Sequence, residues 1–142
     1  MESLNHHLFF CTLTYCDNAM PFVVTSRGKS VRYADIRDFQ NMVKRIRQAD
    51  LFGRPFRYLA VSERSSKGRP HYHVIWSVNK CDDDDYTTCL QLETKLYDAV
   101  LSQWKRNKGS DKYPLWQPLC NYKCIYTRNG RKSNFDLHYM SI

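Results

Sequence analysis

The chain has 142 residues, of which 42% are hydrophobic and 25% charged, a balance typical of one soluble globular domain. No stretch reaches the roughly 18 apolar residues of a membrane-spanning helix, and no export signal is expected at the N-terminus. A net charge of +8, from 22 basic and 14 acidic residues, favours a polyanionic partner. Nucleic acid is the first candidate, and a ribosomal or membrane-surface partner stays open.

Aromatic and cysteine content add two weaker indications. Ten tyrosines contribute to an aromatic content of 14%, which suits stacking on unpaired bases but also ordinary core packing. The six cysteines form no C-x-x-C pair and no regular framework. We therefore expect reduced thiols in a cytosolic protein.

The N-terminal third predicts a strand, a short edge strand and a helix. Residues 8–15 are rich in aromatic and β-branched side chains and predict the first strand, which turn-forming residues end at 16–21. A short edge strand is expected at 22–25, followed by a basic loop at 26–30. Residues 34–49 have helical spacing, with an apolar stripe formed by Ile36, Phe39, Val43 and Ile46.

Three cations lie near the C-terminal end of that predicted helix: Lys44, Arg45 and Arg47. The helix dipole favours positive charge at this end, so a solvated helix terminus is the favoured interpretation. A contact with phosphate is the alternative.

A predicted hairpin carries the most informative residues. Residues 56–62 predict one strand, residues 64–68 a polar loop with a glycine, and residues 69–76, RPHYHVIW, a second strand. Because side chains alternate along a strand, His71 and His73 share one face while Tyr72 points to the other. Two imidazoles so placed can bind one metal ion, although a structural role for each histidine is the simpler alternative.

The hairpin would bring Glu63 alongside His71 and complete a metal site of Glu63, His71 and His73. One feature argues against simple alternation. It places Glu63 on the same face as Leu59 and Val61, so a core face would have to end in a carboxylate. A bulge or the end of the strand would be needed to turn Glu63 towards the histidines.

The C-terminal half predicts a second helix and a final pair of strands. Residues 86–104 carry an apolar stripe of Cys89, Leu92, Leu96, Val100 and Trp104, and basic residues with Gly109 follow as its expected end. The acidic run 82–85 favours capping of this helix over cation binding. Strands are expected at 119–127 and 134–139, joined by an Asn-Gly turn whose flanking bases could touch nucleic acid.

Together these elements predict an α+β fold, an antiparallel sheet with its helices on one face in a ferredoxin-like arrangement. The whole chain is expected to be one domain. The face of the sheet opposite the helices would then expose His71 and His73.

The segment from Arg57 to Trp76 resembles the HUH endonucleases, in which two histidines bracket a hydrophobic residue. The closer likeness is to replication initiators of small single-stranded DNA phages, especially gokushovirus-like microviruses. Glu63 followed by residues 69–73, RPHYH, is similar to their hallmark phrase, and residues 10–15, which end in TLTY, resemble their first motif. The likeness is good over residues 8–78 and weak elsewhere.

This resemblance implies a ferredoxin-like HUH fold and a rolling-circle initiator that nicks single-stranded DNA at a replication origin. It implies Mg²⁺ or Mn²⁺ as cofactor, and two imidazoles suit Mn²⁺ better. A tyrosine would become joined to the 5′-phosphate and leave a 3′-OH to prime synthesis. The expected location is the cytoplasm of the bacterial host, with no membrane partner and no small-molecule cofactor.

The chain departs from the family pattern at the tyrosine. No tyrosine is followed three residues later by lysine, and Tyr122 and Tyr126, four apart, fall in a predicted strand. The catalytic residue therefore stays unassigned, and we expect a chain that ends before the nucleophilic helix and does not itself cleave. Arg64, Lys67 and Arg69 flank the site and are the expected DNA contacts. A non-catalytic single-strand binder and a metal-dependent phosphoesterase are the two alternatives.

Overall fold

The computed structural model describes residues 5–121 and 125–128. Within these ranges the chain forms one four-stranded sheet, two short two-stranded ribbons and two α-helices. The strands are β1 (His6–Thr14), β2 (Phe22–Val24), β3 (Ser30–Arg32), β4 (Phe56–Arg64), β5 (Pro70–Asn79), β6 (Lys105–Asn107), β7 (Trp116–Pro118) and β8 (Tyr126–Arg128). The helices are α1 (Ile36–Gln48) and α2 (Tyr86–Gln103), and a short 3₁₀ helix covers Asp17–Ala19.

The large sheet is antiparallel throughout, in the order β4-β5-β1-β8. Strands β1 and β5 pair along their full lengths, from His6 opposite Asn79 to Thr14 opposite His71. Strand β4 pairs with the other side of β5. With two helices added, the predicted α+β class is confirmed.

The helices cover one face of this sheet. Along β5, Tyr72 and Trp76 alternate into the core, and the ring of Phe39 in α1 lies 5.3 Å and 6.4 Å from theirs. Helix α2 adds Leu92 and Leu96 to the same core. The opposite face, which carries His71 and His73, is referred to below as the open face.

Helix α1 begins after Asp35, whose carboxylate accepts a hydrogen bond of 2.9 Å from the Arg37 amide. This contact satisfies an amide that the helix itself leaves unpaired. Phe39, Val43 and Ile46 of the predicted stripe are buried, but Ile36 is half exposed, so its assignment to the core was wrong. It is the first residue of the helix, and the buried stripe begins one turn later.

The arginines at the end of α1 make internal contacts. The Arg45 guanidinium donates hydrogen bonds of 2.8 Å to the carbonyls of Gln103 and Lys105. Arg47 lies 4.9 Å above the Phe56 ring, a cation–π contact. These two cations therefore tie α1 to its neighbours, which the interpretation of a purely solvated helix end did not include.

The acidic run before α2 has the predicted capping role. Asp85 is the N-cap, and its side chain accepts from the Thr88 amide at 2.9 Å. The Asp84 carboxylate pairs with both terminal nitrogens of the Arg54 guanidinium and with His7. The run thus fixes the start of α2 against the beginnings of β1 and β4.

The end of α2 differs from the prediction. The helix stops at Gln103, and the basic residues that follow form strand β6, paired with β7. Gly109 is not a helix cap. A β-carbon there would come within 2.2 Å of the Tyr113 carbonyl, so the close approach of two backbone segments in the β6–β7 loop requires glycine.

The predicted strand at 119–127 is partly wrong. Leu119 and Cys120 lie in a bend, and the strand β8 covers only Tyr126–Arg128, where it pairs with β1. The predicted strand at 134–139 and most of the turn before it lie outside the described residues. Over the part that the structure describes, no helix is long and apolar enough to cross a membrane.

Candidate metal centre

A tight hairpin brings the candidate ligands together. Strand β4 ends at Arg64 and β5 begins at Pro70, and the Ser65 amide donates to the Arg69 carbonyl at 2.9 Å. Gly68 has a φ of 78°, a left-handed conformation that glycine adopts without steric cost. The predicted loop at 64–68 therefore corresponds to the observed turn.

The register of the ladder places the three ligands on one face. Glu63 lies directly opposite His71, and Val61 lies opposite His73. Pairing runs without interruption from Phe56 to Arg64, so no bulge is present. The apparent conflict over Glu63 disappears because Leu59 and Val61 are 60% and 52% exposed and belong to the open face.

Three atoms converge at the centre of the site. Nε2 of His73 lies 2.8 Å from Oε2 of Glu63 and 3.1 Å from Nε2 of His71. The remaining separation, from Nε2 of His71 to Oε2 of Glu63, is 3.7 Å. In the described part of the chain, these residues form a group whose ligand atoms all lie within 4.8 Å of one another.

The outer ring nitrogens determine which lone pairs face the centre. Nδ1 of His71 lies 3.4 Å from the Arg69 carbonyl, which can only accept, so Nδ1 carries the proton and Nε2 keeps its lone pair. Nδ1 of His73 lies 3.3 Å from Oγ1 of Thr12, a hydroxyl that can accept in the same way. Each imidazole is thus oriented from behind, as metal-binding histidines usually are.

The donor set fits a divalent cation. Two imidazole nitrogens and one carboxylate oxygen are common ligands of Mn²⁺ and leave other coordination positions for oxygen ligands. The histidine side chains are 16% and 20% exposed and that of Glu63 is 60% exposed, so the site opens to solvent on the carboxylate side. A cavity of about 310 Å³ beside Glu63 is lined by Tyr33, Ala34, Ser62, Arg64 and Pro70.

The three predicted DNA contacts differ in their surroundings. Arg64 and Lys67 are exposed at the hairpin turn. Arg69 instead donates to the Asp17 carboxylate and, at 2.7 Å, to the Tyr15 carbonyl. Its guanidinium holds the pKa of Asp17 below the usual range. Arg69 therefore joins the hairpin to the segment after β1.

Tyr15 and Tyr72 lie near the ligands in sequence or register but are buried on the opposite side of the sheet. The Tyr15 hydroxyl donates to Asp38 at 2.9 Å, and burial together with that carboxylate raises the pKa of Tyr15 well above its usual range. Burial also raises the pKa of Tyr72 to about 12. Tyr122 and the side chain of Tyr126 lie outside the described part of the chain.

Sequence reasoning missed two residues that support the site. Thr12 contacts His73 from the neighbouring strand, and Asp17 holds Arg69 from the 3₁₀ helix. The alternation of β1 would have placed Thr12 on the polar face. Only the register between β1 and β5, which the sequence does not give, brings it behind His73.

An α+β domain with a 2-His-carboxylate group on the open face of its sheet is thus the class that fold and geometry define. The family model of the replication-associated protein ORF2 matches residues 8–131. The chain belongs to this family of replication-associated proteins, and its role is in DNA replication. No curated protein and no solved structure matches the chain.

Proposed function

We propose that this chain is the metal- and DNA-binding domain of a rolling-circle replication initiator that nicks single-stranded DNA at an origin. The observation that carries the proposal is the convergence of Glu63, His71 and His73 on one point of the open face. Membership of the replication-associated family supports a DNA substrate, and the HUH resemblance supports the nicking chemistry.

In this proposal Glu63, His71 and His73 hold a divalent Mg²⁺ or Mn²⁺, which would serve as a Lewis acid for the scissile phosphate. The chain's own contribution is to present three lone pairs in a fixed arrangement. Thr12 and the Arg69 carbonyl keep the imidazole rings in the required tautomer. Such preorganisation reduces the cost of binding both cation and phosphate.

The DNA strand would lie across the open face. Leu59 and Val61 project beside the ligands and are more than half exposed, which gives unpaired bases an apolar surface. Arg64 and Lys67 stand at the adjoining turn, where they can hold phosphates on either side of the scissile bond. A duplex would keep its bases stacked inside the helix, so this surface favours single-stranded DNA.

The nucleophile would be a tyrosine oxygen. It would form a bond to the 5′-phosphate while the bond to the 3′-oxygen breaks, and that oxygen would leave as a hydroxyl after taking up a proton. Tyr15 and Tyr72 are poorly suited, because both are buried on the core side and hold their protons firmly. We assign the role to none of the tyrosines whose side chains are described.

The metal site is tested by calorimetric titration with Mn²⁺. The double variant His71→Ala/His73→Ala should lose binding, and Glu63→Gln should weaken it, because each change removes a lone pair or charge from the centre. His6→Ala is the control, since it removes a histidine from the far end of β1, opposite Asn79. Unchanged Mn²⁺ affinity in the double variant would overturn the proposal.

Nicking is tested with Mn²⁺ and a single-stranded oligonucleotide that contains the origin. We expect this chain to bind the oligonucleotide without forming a covalent adduct on a denaturing gel, because no tyrosine has the expected lysine three residues later. An adduct would contradict that expectation. Mapping it to Tyr122 or Tyr126 would identify the nucleophile within the chain.

A further inference from the structure

The ribbon formed by β2 and β3 has an unusual surface for so small an element. Phe22, Val23 and Val24 follow one another along β2 and are 63%, 50% and 63% exposed. An isolated apolar residue on a surface needs no explanation, but three in succession on one strand do. Their exposure indicates a surface that a partner covers.

The same ribbon is basic and contains no acidic residue. Arg27, Lys29 and Arg32 are all exposed, and the nearest carboxylates in sequence are Asp17 and Asp35, outside the ribbon on either side. Positive charge without a counter-charge favours a polyanion over a second copy of this chain, because two such ribbons would repel each other.

The turn of the ribbon is internally fixed. The Thr25 amide donates to the Lys29 carbonyl at 2.8 Å, and the Lys29 amide donates to Oγ1 of Thr25 at 3.1 Å. Gly28 has a φ of 78°, which closes the turn without strain. The cations are therefore presented on a defined scaffold.

The ribbon joins the body of the protein next to the candidate metal centre. At its base the Tyr33 amide donates to the Pro21 carbonyl at 3.1 Å. Tyr33 and Ala34 line the same cavity as Glu63. A nucleic acid at the metal centre could thus continue directly onto the ribbon.

We propose that the β2–β3 ribbon binds the major groove of duplex DNA that flanks the single-stranded substrate. A strand of three residues is about 10 Å long. The groove is about 12 Å wide and about 8.5 Å deep and admits a two-stranded ribbon. Phe22 and Val24 would contact thymine methyl groups at the floor, while Arg27, Lys29 and Arg32 would reach the phosphates on both sides.

The test is fluorescence anisotropy with a labelled 20-base-pair duplex, in EDTA and over a range of salt concentrations. Arg27→Ala/Lys29→Ala/Arg32→Ala should weaken binding at least tenfold at low salt. Its slope of log affinity against log salt should become shallower by about 3, since each phosphate contact contributes about 0.9. The matched control is Lys44→Ala/Lys80→Ala/Lys95→Ala, which removes the same charge from other exposed positions and should change affinity only a few-fold.

A second variant separates groove contact from charge. Phe22→Ser/Val24→Ser keeps every cation and should weaken duplex binding while leaving single-strand binding unchanged. The two ribbon variants alter different side chains, so a loss of folding in one, seen by circular dichroism, leaves the other decisive.

Two results would overturn the inference. One is duplex affinity in both ribbon variants equal to that of the control. The other is a change in self-association of Phe22→Ser/Val24→Ser, seen by sedimentation, with duplex affinity unaltered; the surface would then join copies of the chain. Because EDTA is present, His71→Ala/His73→Ala should bind the duplex as the unaltered chain does, so failure of the metal proposal would leave this test intact.

Discussion

Glu63 and His71 are directly paired residues of neighbouring antiparallel strands, and their side chains project to the same side of the sheet. Paired positions in such a ladder have β-carbons about 5 Å apart. His73 follows two residues along β5 and meets the same carboxylate oxygen at 2.8 Å. The site is therefore a product of strand register, and its supports can be tested one at a time.

The first prediction concerns the support behind His73. Thr12→Val should lower Mn²⁺ affinity about 10-fold or more, the usual cost of losing an outer hydrogen bond to a ligand. Thr12→Ser keeps the hydroxyl and should restore most of the affinity. Calorimetry measures both, and equal weakening by Val and Ser would assign Thr12 a packing role only.

The second prediction concerns DNA binding at the hairpin turn. Arg64→Ala/Lys67→Ala should weaken single-stranded DNA binding and reduce its salt slope by about 1.4, since each single-strand phosphate contact contributes about 0.7. Lys44→Ala/Lys80→Ala removes equal charge elsewhere and serves as the control. Anisotropy titrations with a dT oligonucleotide give both slopes, and matching slopes in the two variants would place the DNA elsewhere.

The third prediction separates two roles of Arg69. As a DNA contact, it should become more available when Asp17→Ala removes its carboxylate partner, and single-strand affinity should rise. As a clamp on the hairpin, it should lose its hold in that variant, and Mn²⁺ affinity should fall. The Asp17 and Tyr15 contacts favour the clamp, so we expect Asp17→Ala and Arg69→Ala both to weaken Mn²⁺ binding. Opposite effects of these variants on DNA affinity, with Mn²⁺ binding unchanged, would contradict this.

The fourth prediction is a pH dependence of stability at Asp84. The Arg54 guanidinium, with the Cys81 amide and His7, holds the pKa of Asp84 well below its usual range. A lowered folded-state pKa contributes stability above the unfolded-state value of about 3.9, and the contribution is lost progressively as pH falls below it. Asp84→Asn should therefore destabilise the protein by about 2 kcal/mol at pH 7, because it weakens charge-assisted hydrogen bonds to Arg54.

This difference should shrink below about pH 4, as the carboxylate of the unaltered chain becomes protonated. Asp83→Asn is the control from the same acidic run, since Asp83 is exposed. Thermal melts at several pH values measure the effect. A difference between Asp84→Asn and the unaltered chain that stays constant down to pH 2 would show that Asp84 acts by shape and not by charge.

The three candidate ligands could be predicted because they lie in one hairpin, where alternation and a short loop fix their relation. The faces of β4 could not. Leu59 and Val61 make one apolar set and Tyr58 and Ala60 another, and the sequence does not say which faces the core. Thr12 is separated from His73 by 61 residues, so its contact depends on pairing between distant strands. Strand β6 was missed because its basic residues resemble the end of a helix.

The ligands are near neighbours along the chain, whereas the hydroxyl behind His73 arrives from a strand near the N-terminus. Contacts between neighbours close early in folding, because little loop entropy is lost, and distant pairings come later. A cation could thus be captured weakly by the nascent β4–β5 hairpin and tightly only after β1 docks. Cation affinity would then report how far the sheet has assembled, and a slip of one residue between β4 and β5 would turn Glu63 away and abolish it.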